Sequence, residues 1–572
     1  MTNVLTWPAT MPLIGMVFLP IGLGIISYLW DKKSVKYLVF FIQATLFVMS
    51  LFYLQVLTET PQMLEQLSKM PLPLGMTLRL DRLSSVMLVL SNLLFWLLLL
   101  FNYHKLYMDG RFNFLYLTLQ GIINGIFLSN DLFNIYLLVE VATILVCIMI
   151  MYKKDAMAMY DGMVYLLVNM VAMAFFVFGI AFIYKHFGRF DLSGIERDML
   201  QVTLVSPLYL PFALMFAAAC LKAAVLPLFS WLPKAHSTAS APSIVSAILS
   251  GIFVKTGVYL LLRVTQLFDA AIDIDVFVQI LGMITAIFGF IFAIVQTDIK
   301  AILAYHTISQ VGLMLIGFYS GTEAGYSGGL LHLFSHGIFK SLLFIIAGLL
   351  IEIYKSRQVT NFGSLLKRSP VVAFALVIAM LSITGAPLFS GSVSKHLISS
   401  GYQGLYGGPL FYFISLGTMV SFLKVGFYAF KPIKKERDSI LKVTHYPLRW
   451  NQIAVLITMG ALCILLGQLD GISLNLLTGL DGYGNLWFGE GNTLFRLLGN
   501  FLNSGFFVQK IFQYLIVVAV AVPVFKYLIV QRSFVGVVRS IDLSYNIIIL
   551  MLTIFFVFSL VTISMVGSGF VS

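Results

Sequence analysis

Residues 221–237 read LKAAVLPLFSWLPKAHS, an apolar run that contains a lysine, Lys222, and an internal proline, Pro227. Proline removes an amide donor and clashes with the preceding turn, so this run predicts a helix that breaks in its middle. The tetrapeptide PLFS recurs at 387–390 in ITGAPLFSGSVSKH, where Pro387 predicts a second break. The copies lie 160 residues and five apolar spans apart, and an odd offset reverses a segment's direction in a membrane. Two such breaks predict the inverted repeats typical of transporters.

The amino-acid composition excludes a water-soluble enzyme. Of 572 residues, 60% are apolar and 10% are charged, and the mean hydropathy is +0.96, whereas soluble domains carry about 25% charged residues. Because about 20 apolar residues cross a membrane as a helix, we predict sixteen spans and an all-α polytopic membrane protein. The spans are expected at 11–30, 35–56, 83–103, 112–129, 132–152, 160–184, 207–231, 242–267, 273–296, 301–319, 325–352, 371–399, 408–429, 451–469, 508–529 and 542–567.

The basic residues indicate the environment and orientation of the chain. The net charge of +12 comes from lysines and arginines spread through short loops, whereas nucleic-acid-binding proteins gather them on one face. We therefore expect a lipid bilayer and no nucleic acid. Loops after odd-numbered spans carry most of these residues, and such residues accumulate on the cytoplasmic side. This bias predicts the inner or plasma membrane of a prokaryote, with both termini on the extracytoplasmic side.

The cysteines predict neither a cofactor nor a metal. Cys147, Cys220 and Cys463 all lie in apolar spans and form no CxxC pair. They therefore do not suit an iron–sulfur cluster or a zinc site. Any redox centre is expected in another subunit.

Five lysines fall inside predicted spans, where an ionisable group costs about 2.5–3.5 kcal/mol and needs a partner or a function. They are Lys222, Lys255, Lys340, Lys395 and Lys424. Lys424 lies near a basic loop and is expected to snorkel to the headgroups, whereas Lys340 fits a structural ion pair as well as a transport role. Glu140, centred in LFNIYLLVEVATILVC, is expected to pair with one of these lysines. The pair is either static, fixing helix register, or part of a proton pathway.

Two histidines share one face of a later span. His332 and His336 stand four residues apart in HLFSHGIFK. A metal site needs more ligands than this pair offers, so the pair indicates a proton relay or plain hydrogen bonding between helices. His306, which lies in the preceding span, is an accessory candidate for the same relay.

Five stretches of the sequence carry a family resemblance. They are DLFNIYLLVE (131–140), LKAAVLPLFSWLPKAHS (221–237), APSIVSAILSGIFVKTGVY (241–259), QTDIKAILAYHTISQVG (296–312) and HLFSHGIFKSLLF (332–344). On these stretches the chain resembles the antiporter-like membrane subunits shared by Mrp-type cation/proton antiporters, membrane-bound energy-converting hydrogenases and respiratory complex I. Within that family it is most similar to the D-type Mrp subunit and the hydrogenase branch.

The resemblance implies a fourteen-helix core with two inverted five-helix repeats and broken helices, followed by about two more C-terminal helices. The implied domains are three N-terminal helices in 1–110, the first repeat in 111–270, the second repeat in 271–430 and the C-terminal helices in 431–572. The stretch 470–505 and the last two spans are expected to dock neighbouring subunits.

The resemblance also implies a pathway of titratable groups. Glu140 would pair with Lys222 on the first broken helix, and Lys255 would connect this pair to the histidines and to Lys395. The implied proton-translocation residues are Glu140, Lys222, Lys255, His332, His336 and Lys395, with His306 and Lys340 as accessory residues. The implied function is a proton or Na⁺/H⁺ translocating subunit of a multisubunit membrane complex.

Several alternatives stay open. The chain could be a self-contained secondary transporter for another solute, a membrane-embedded transferase with His332 or His336 as base, or the structural anchor of a hydrogenase or quinone reductase. The implied partners are antiporter-like subunits, with a hydrogenase or quinone-reductase arm as a further option. The sequence leaves open whether the coupled ion is H⁺, Na⁺ or K⁺. It also leaves open the driving reaction, and whether the complex is an oxidoreductase of the NADH:quinone or hydrogenase type.

Overall fold

The computed structural model describes most of the chain. Its ranges are 12–30, 32–58, 60–67, 75–237, 241–404, 407–432, 445–468, 477–478, 505–530 and 545–567. Each of the sixteen predicted spans contains one helix or two shorter ones, and the divided spans are interrupted near Pro227, near Pro387 and at Leu249–Phe253. The all-α membrane fold is therefore confirmed. The predicted span ends at 11, 469 and 542–544 lie outside the described ranges, as does most of 470–505.

The helices are numbered in chain order within the described residues. Those of the first half are α1 (Gly15–Leu29), α2 (Lys33–Val56), α3 (Arg82–Asn102), α4 (Gly110–Leu128), α5 (Leu132–Ile150), α6 (Ala156–Phe187), α7 (Leu192–Met199), α8 (Tyr209–Lys222), α9 (Trp231–Ser237), α10 (Ser243–Ile248) and α11 (Val254–Phe268). The later ones are α12 (Asp275–Val295), α13 (Ile299–Phe318), α14 (Glu323–Tyr354), α15 (Leu365–Arg368), α16 (Pro370–Thr384), α17 (Ser390–Gly401), α18 (Gly407–Phe430), α19 (Trp450–Leu465), α20 (Gly505–Val530) and α21 (Tyr545–Gly567).

Aspartates at the ends of apolar runs start several of these helices. The Asp81 carboxylate accepts a hydrogen bond from the Ser84 N–H at 3.0 Å, and Asp131 accepts one from the Asn134 N–H at 2.7 Å. Asp298 caps α13 in the same way. Such side chains satisfy first-turn amides that have no partner within the helix. The charged residues that delimit the predicted spans therefore also fix where the helices begin.

The long helices have the dimensions and composition of membrane spans. Eleven helices in the described part are long and apolar enough to cross a bilayer, and four shorter apolar helices accompany them. Large apolar side chains such as Phe41, Phe178 and Phe374 are exposed, as expected of helices whose outer faces contact lipid. The chain is a multi-pass membrane protein.

The chain divides into two compact units, one formed by Met1–Asp275 with Leu543–Ser572 and the other by Val276–Asp542. The last helix, α21, therefore belongs to the first unit. There it packs against α8 and α6, with Phe555 stacked on Phe216 at a centroid distance of 6.1 Å. The domain boundaries predicted at 110, 270 and 430 remain predictions.

Helix α20 belongs to the second unit and packs against α18. The contact is a buried apolar cluster. Its buried members are Met419, Val420, Ala521 and Phe525. A C-terminal helix thus completes the core of each unit.

A short hairpin, which the sequence did not predict, connects α2 to α3. Its strands β1 (Gln62–Gln66) and β2 (Thr77–Asp81) pair antiparallel, with Leu64 opposite Arg79. The hairpin sets Arg79 and Asp81 directly before α3.

Candidate functional site

The first broken helix lies in the first unit, at the PLFS sequence. Helix α8 ends at Lys222, the backbone reverses at Ala224 with φ +56°, and the bond before Pro227 is cis. Helix α9 begins at Trp231, whose indole Nε1 donates to the Leu221 carbonyl at 2.7 Å across the break. The last carbonyls of a helix lack partners and carry partial negative charge. The break therefore places Lys222 where the helix end favours a cation.

Lys222 makes its hydrogen bond to a hydroxyl on α5. Its side chain is 2% exposed, and its Nζ donates to Thr143 Oγ1 at 2.6 Å. The Thr143 hydroxyl donates in turn to the Val139 carbonyl at 2.7 Å. Glu140 stands one turn before Thr143 on the same helix and is half-buried. The charges of Glu140 and Lys222 interact electrostatically. The Lys222 ammonium forms its hydrogen bond with Thr143, however, and makes no direct ion pair with Glu140.

Lys255 follows an irregular turn in its helix. Residues Leu249–Phe253 form a π-helical turn between α10 and α11, and Lys255 is fully buried directly after it. Its Nζ donates to the carbonyl of Ser250 within that turn. Single π-helical turns are rare and are frequent at functional sites. The widened turn supplies the carbonyl that holds the buried ammonium.

Gly257 brings α11 against the end of α8. A Cβ atom at this position would lie 2.3 Å from the carbonyl carbon of Lys222 and 2.4 Å from the Ala223 nitrogen. Only glycine permits this approach, because any side chain would force the two backbones apart. Helix α11, which carries Lys255, therefore packs directly against the backbone of Lys222 at the end of α8.

The second broken helix lies in the second unit. Helix α16 ends at Thr384, positive φ angles follow at Gly385 (+80°) and Leu388 (+72°), and α17 begins at Ser390. The Nζ of Lys395 reaches back from α17 and donates to the Ile383 carbonyl at 2.7 Å. This carbonyl belongs to the last turn of α16, so a lysine again occupies the carbonyl end of a half-helix.

His332 joins three helices of the second unit. Its Nδ1 lies 2.9 Å from Ser394 Oγ on α17, and its Nε2 lies 3.1 Å from Gln310 Oε1 on α13. An amide oxygen only accepts, so Nε2 carries the hydrogen in this arrangement and Ser394 donates to Nδ1. The rings of His332 and His336 are 6.1 Å apart on one face of α14. Both side chains therefore extend from the same face of the helix, as the spacing of four residues predicts.

A second lysine and a third histidine share the core around α13. Lys340 is fully buried, and its Nζ donates to the Leu303 carbonyl at 2.7 Å. His306 lies one turn further along α13, fully buried beside the Phe422 ring at 4.9 Å. Neither ring nitrogen of His306 has a hydrogen-bond partner among the residues that the structure describes. Buried polar groups usually have a hydrogen-bond partner in the protein or in ordered water, so His306 stands out within this core.

The snorkelling predicted for Lys424 is wrong. The side chain is 7% exposed, and its Nζ donates to the carbonyls of Ile294 at 2.5 Å and Gln296 at 2.6 Å. These carbonyls stand at the C-terminal end of α12. Lys424 therefore caps a neighbouring helix, which satisfies carbonyls that have no partner in their own helix.

A buried ion cluster was not recognised in the sequence. Arg263 lies near the end of the predicted span 242–267, is 5% exposed in α11, and donates from its Nη2 to Asp81 at 2.7 Å. Burial disfavours the charged carboxylate, but Arg263 and then Arg79 outweigh it and hold the pKa of Asp81 well below its usual range. Arg79 also donates to Glu196 at 2.9 Å. The partner of Arg263 is 182 residues away in the chain, which is why no local pattern indicates it.

The predicted residues fall into two groups, each within one unit. The first unit holds Glu140, Lys222 and Lys255, and the second holds His306, His332, His336, Lys340 and Lys395. The side chains that form hydrogen bonds with them were not predicted; Thr143 contacts Lys222, and Gln310 and Ser394 contact His332. Their signal was available in part, since Thr143 follows Glu140 by three residues, and Ser394 directly precedes Lys395. In the described residues no three metal-ligating side chains lie together.

Comparison with known proteins identifies relatives over this region. Residues 129–421 match the family described as "NADH:quinone oxidoreductase/Mrp antiporter, TM". A protein of Staphylococcus aureus that bears the name antiporter subunit mnhD2 is 30% identical over 401 residues, which is 68% of this chain and 79% of that protein. A protein of Alkalihalophilus pseudofirmus named as a D-type subunit of a Na(+)/H(+) antiporter is 28% identical over 370 residues, covering 63% and 74% of the two chains.

Solved structures share the fold. A chain in the Mrp complex of a Dietzia species superposes with a TM-score of 0.73 at 21% identity, covering 82% of this chain and 96% of its own length. A chain of respiratory complex I from Thermus thermophilus superposes with a TM-score of 0.71 at 23% identity, covering 82% and 98%. At these identities the superpositions establish the architecture.

Proposed function

The chain belongs to the NADH:quinone oxidoreductase/Mrp antiporter family, and from that premise we propose that it is a proton-translocating subunit of a multisubunit membrane complex. One observation carries the proposal: each unit contains a broken helix with a lysine held at the carbonyl end of a half-helix, Lys222 and Lys395. Transporter sites are built at such breaks, because the freed backbone groups can hold an ion within the membrane.

Lys222 is proposed to bind the proton in the first unit. Its ammonium donates to Thr143, and the carboxylate of Glu140 one turn away supplies the negative charge that favours the ammonium. When Glu140 is drawn away, for example by a change of charge in a neighbouring subunit, the ammonium loses this support in apolar surroundings. The proton then leaves for Lys255, and Lys222 remains as a neutral amine until the pair re-forms.

The second unit is proposed to carry the proton onward through its histidines to Lys395. His332 can accept a proton at Nδ1 when Ser394 turns its hydroxyl toward the Ser390 carbonyl, which lies 3.2 Å from it. Ser394 directly precedes Lys395, so this turn takes place next to the last lysine of the pathway. His336 is proposed to carry the proton together with His332, and His306 and Lys340 are proposed as accessory groups that hold protons or water beside them.

The protein is proposed to act with other antiporter-like subunits in the plasma membrane of a prokaryote, with both termini on the extracytoplasmic side. The basic loops support this orientation. The Alkalihalophilus pseudofirmus relative is named as a subunit of a Na(+)/H(+) antiporter, so exchange of H⁺ for Na⁺ is a second form of the same proposal. A hydrogenase or quinone-reductase arm is the alternative driving partner.

The test measures ion movement in membrane vesicles that contain the whole complex. Glu140→Ala and Lys222→Ala are each expected to reduce proton movement, followed with a pH-sensitive dye, by at least about tenfold, because each removes one charge of the first pair. Lys153→Ala, in an exposed loop, is the matched control and is expected to leave transport unchanged. Imposed Na⁺ and K⁺ gradients show which cation is exchanged.

Two outcomes contradict the proposal in different ways, and a third would disqualify the assay. Normal transport in both Glu140→Ala and Lys222→Ala refutes the relay and favours a structural anchor. Full activity of the purified chain alone in liposomes contradicts its role as a subunit and favours a self-contained carrier. Loss of transport in Lys153→Ala would show that the assay reports assembly and not the pathway.

A further inference from the structure

A cavity of about 250 Å³ lies within the second unit, where α17, α18 and α20 meet. It is large enough for several water molecules. Its polar lining includes Lys395, His396, Tyr412, Lys510, Gln513 and Tyr514. The cavity therefore borders the last lysine of the proposed pathway and gives it a route for proton release.

The charged side chains that line the cavity are basic. Lys395 and His396 come from α17, and Lys510 comes from α20. None of the described residues around the cavity is a carboxylate. Two ammonium groups around one cavity repel each other, so the charge on one weakens proton binding by the other. The charge on Lys510 also acts on His396.

Helix α20 is held so that Lys510 faces this cavity. Tyr514, one turn after Lys510, forms a hydrogen bond of 2.9 Å between its hydroxyl and that of Thr384 at the end of α16. Lys510, Tyr514 and Val517 are spaced by four and three residues, so they share one helix face, and all three line the cavity. Helix α20 lies beyond residues 129–421, the part of the chain that matches the family.

We propose that Lys510 is a positioning residue for proton release, whose fixed charge drives the proton of Lys395 into the water of this cavity. The inference rests on the proposed function. The proton leaves the Lys395 ammonium for cavity water and passes from there to the aqueous phase. Lys395 remains as a neutral amine, and no other bond changes.

Other titratable groups lie on α20 itself or on the helices packed against α17 and α20. They are His306 on α13, His332, His336 and Lys340 on α14, Tyr412 and Lys424 on α18, Cys463 on α19 and Tyr514 on α20, and of these Tyr412 and Tyr514 line the cavity. These groups are cationic or neutral. Removing the charge of Lys510 is therefore not offset by a carboxylate among the described neighbours of the cavity.

The test compares Lys510→Gln with Lys510→Arg in vesicles that contain the whole complex. Without the charge, Lys395 and His396 hold their protons more tightly, so proton release needs a higher pH. In Lys510→Gln, we expect the pH at which release is half-maximal to rise by about one unit, as for the loss of one nearby charge. Transport at neutral pH should fall about tenfold. Lys510→Arg keeps the charge and should restore the original profile.

A structural role for Lys510 would give a different result. Equal profiles in wild type and Lys510→Gln, or equal shifts in Lys510→Gln and Lys510→Arg, overturn the inference. Lys510→Met is a second neutral variant, to be used if Lys510→Gln assembles poorly, and the amount of assembled complex is measured for each. Normal Lys510→Gln transport alongside inactive Glu140→Ala and Lys222→Ala removes this inference alone. Normal transport in those two variants removes the proposed function itself.

Discussion

The two broken helices start from the same tetrapeptide and hold their lysines in different ways. Lys222 lies five residues before its PLFS proline and Lys395 lies eight residues after its own. Lys222 therefore ends the first half-helix and reaches a side-chain hydroxyl on α5, near a carboxylate. Lys395 sits in the second half-helix and reaches a backbone carbonyl, beside a cavity lined by other basic groups.

The difference separates two features of each break: the motif that interrupts the helix and the position of the lysine relative to that motif. The shared motif provides the break, and at the end of each PLFS copy a buried serine, Ser230 or Ser390, has a hydroxyl without a hydrogen-bond partner among the described residues. The position of the lysine then selects its partner. A nearby acid suits the capture of a proton, whereas a basic cavity suits its release.

The largest effect is expected at the ion cluster that anchors α11 in the first unit. Asp81→Asn should lower the free energy of unfolding in micelles by about 3–5 kcal/mol near neutral pH, since it leaves Arg263 buried without its carboxylate. Because the pKa of Asp81 is depressed in the folded state, this stability is present above the ordinary carboxyl pKa and is lost as pH falls through the lower, folded value. The difference between wild type and Asp81→Asn should therefore persist at neutral pH and shrink only in strong acid.

The matched control for this cluster is Asp298→Asn in the second unit. Asp298 also caps a helix and pairs with Arg357 at 2.8 Å, but both side chains are more exposed than that of Arg263. A smaller loss is expected, because water compensates an exposed arginine. Equal losses in the two variants would show that helix capping and not the buried charge explains the effect.

The next effect tests whether Lys222 depends on a side chain. Thr143→Val should destabilise the protein by about 3 kcal/mol and reduce transport at least about tenfold, because it leaves a buried ammonium without an acceptor. Thr143→Ser retains the hydroxyl and should behave like wild type in both measurements. If Thr143→Val transports normally, the hydroxyl is dispensable and Glu140 alone supports Lys222. No comparable substitution exists for Lys395, whose acceptor is a backbone carbonyl.

Glycine replacements compare the packing of the two breaks. A Cβ at Gly391 would lie 1.9 Å from the Ser382 carbonyl oxygen, and one at Gly257 would lie 2.3 Å from the Lys222 backbone. Gly391→Ala and Gly257→Ala should each cost about 1–3 kcal/mol in thermal or denaturant unfolding, as overpacking does. Gly22→Ala is the control, because nothing lies within 4 Å of its Cβ position, and it should not destabilise. Loss of stability in Gly22→Ala would mean that helix glycines are required for another reason.

The smallest effect is expected at the hydroxyl between His332 and the second break. Ser394→Ala removes one hydrogen bond to Nδ1 and should cost about 1 kcal/mol of unfolding free energy. Transport should fall a few-fold, while Ser400→Ala, which removes a local hydroxyl bond to the Leu397 carbonyl, serves as a control for α17. An unchanged transport rate in Ser394→Ala would show that the hydrogen bond between Ser394 and His332 is not needed for proton release.

Apolar length predicted the membrane spans well, since burial in lipid leaves a helix as the available structure. The broken helices follow from Pro227 and Pro387 for the same local reason. Contacts between distant residues were harder to predict. Thr143 and Arg263 acquire their roles from partners elsewhere in the chain, and the π-helical turn before Lys255 depends on packing that no local pattern shows. The sequence shows that Lys424 lies near a basic loop, which predicts contact with the headgroups. It does not show that the carbonyls at the end of α12 lie close enough to accept hydrogen bonds from Lys424.

The place of α21 in the first unit has a consequence for biogenesis. The chain emerges from the ribosome with its N-terminus first, so every helix of the second unit is synthesised before the helix that covers α8. Until then the Phe216 side of α8 lacks the aromatic cover that Phe555 provides. A nascent chain that stops short of residue 545 would contain every proposed relay residue and still lack this contact. The packing of the first unit is therefore completed only after the second unit has been synthesised.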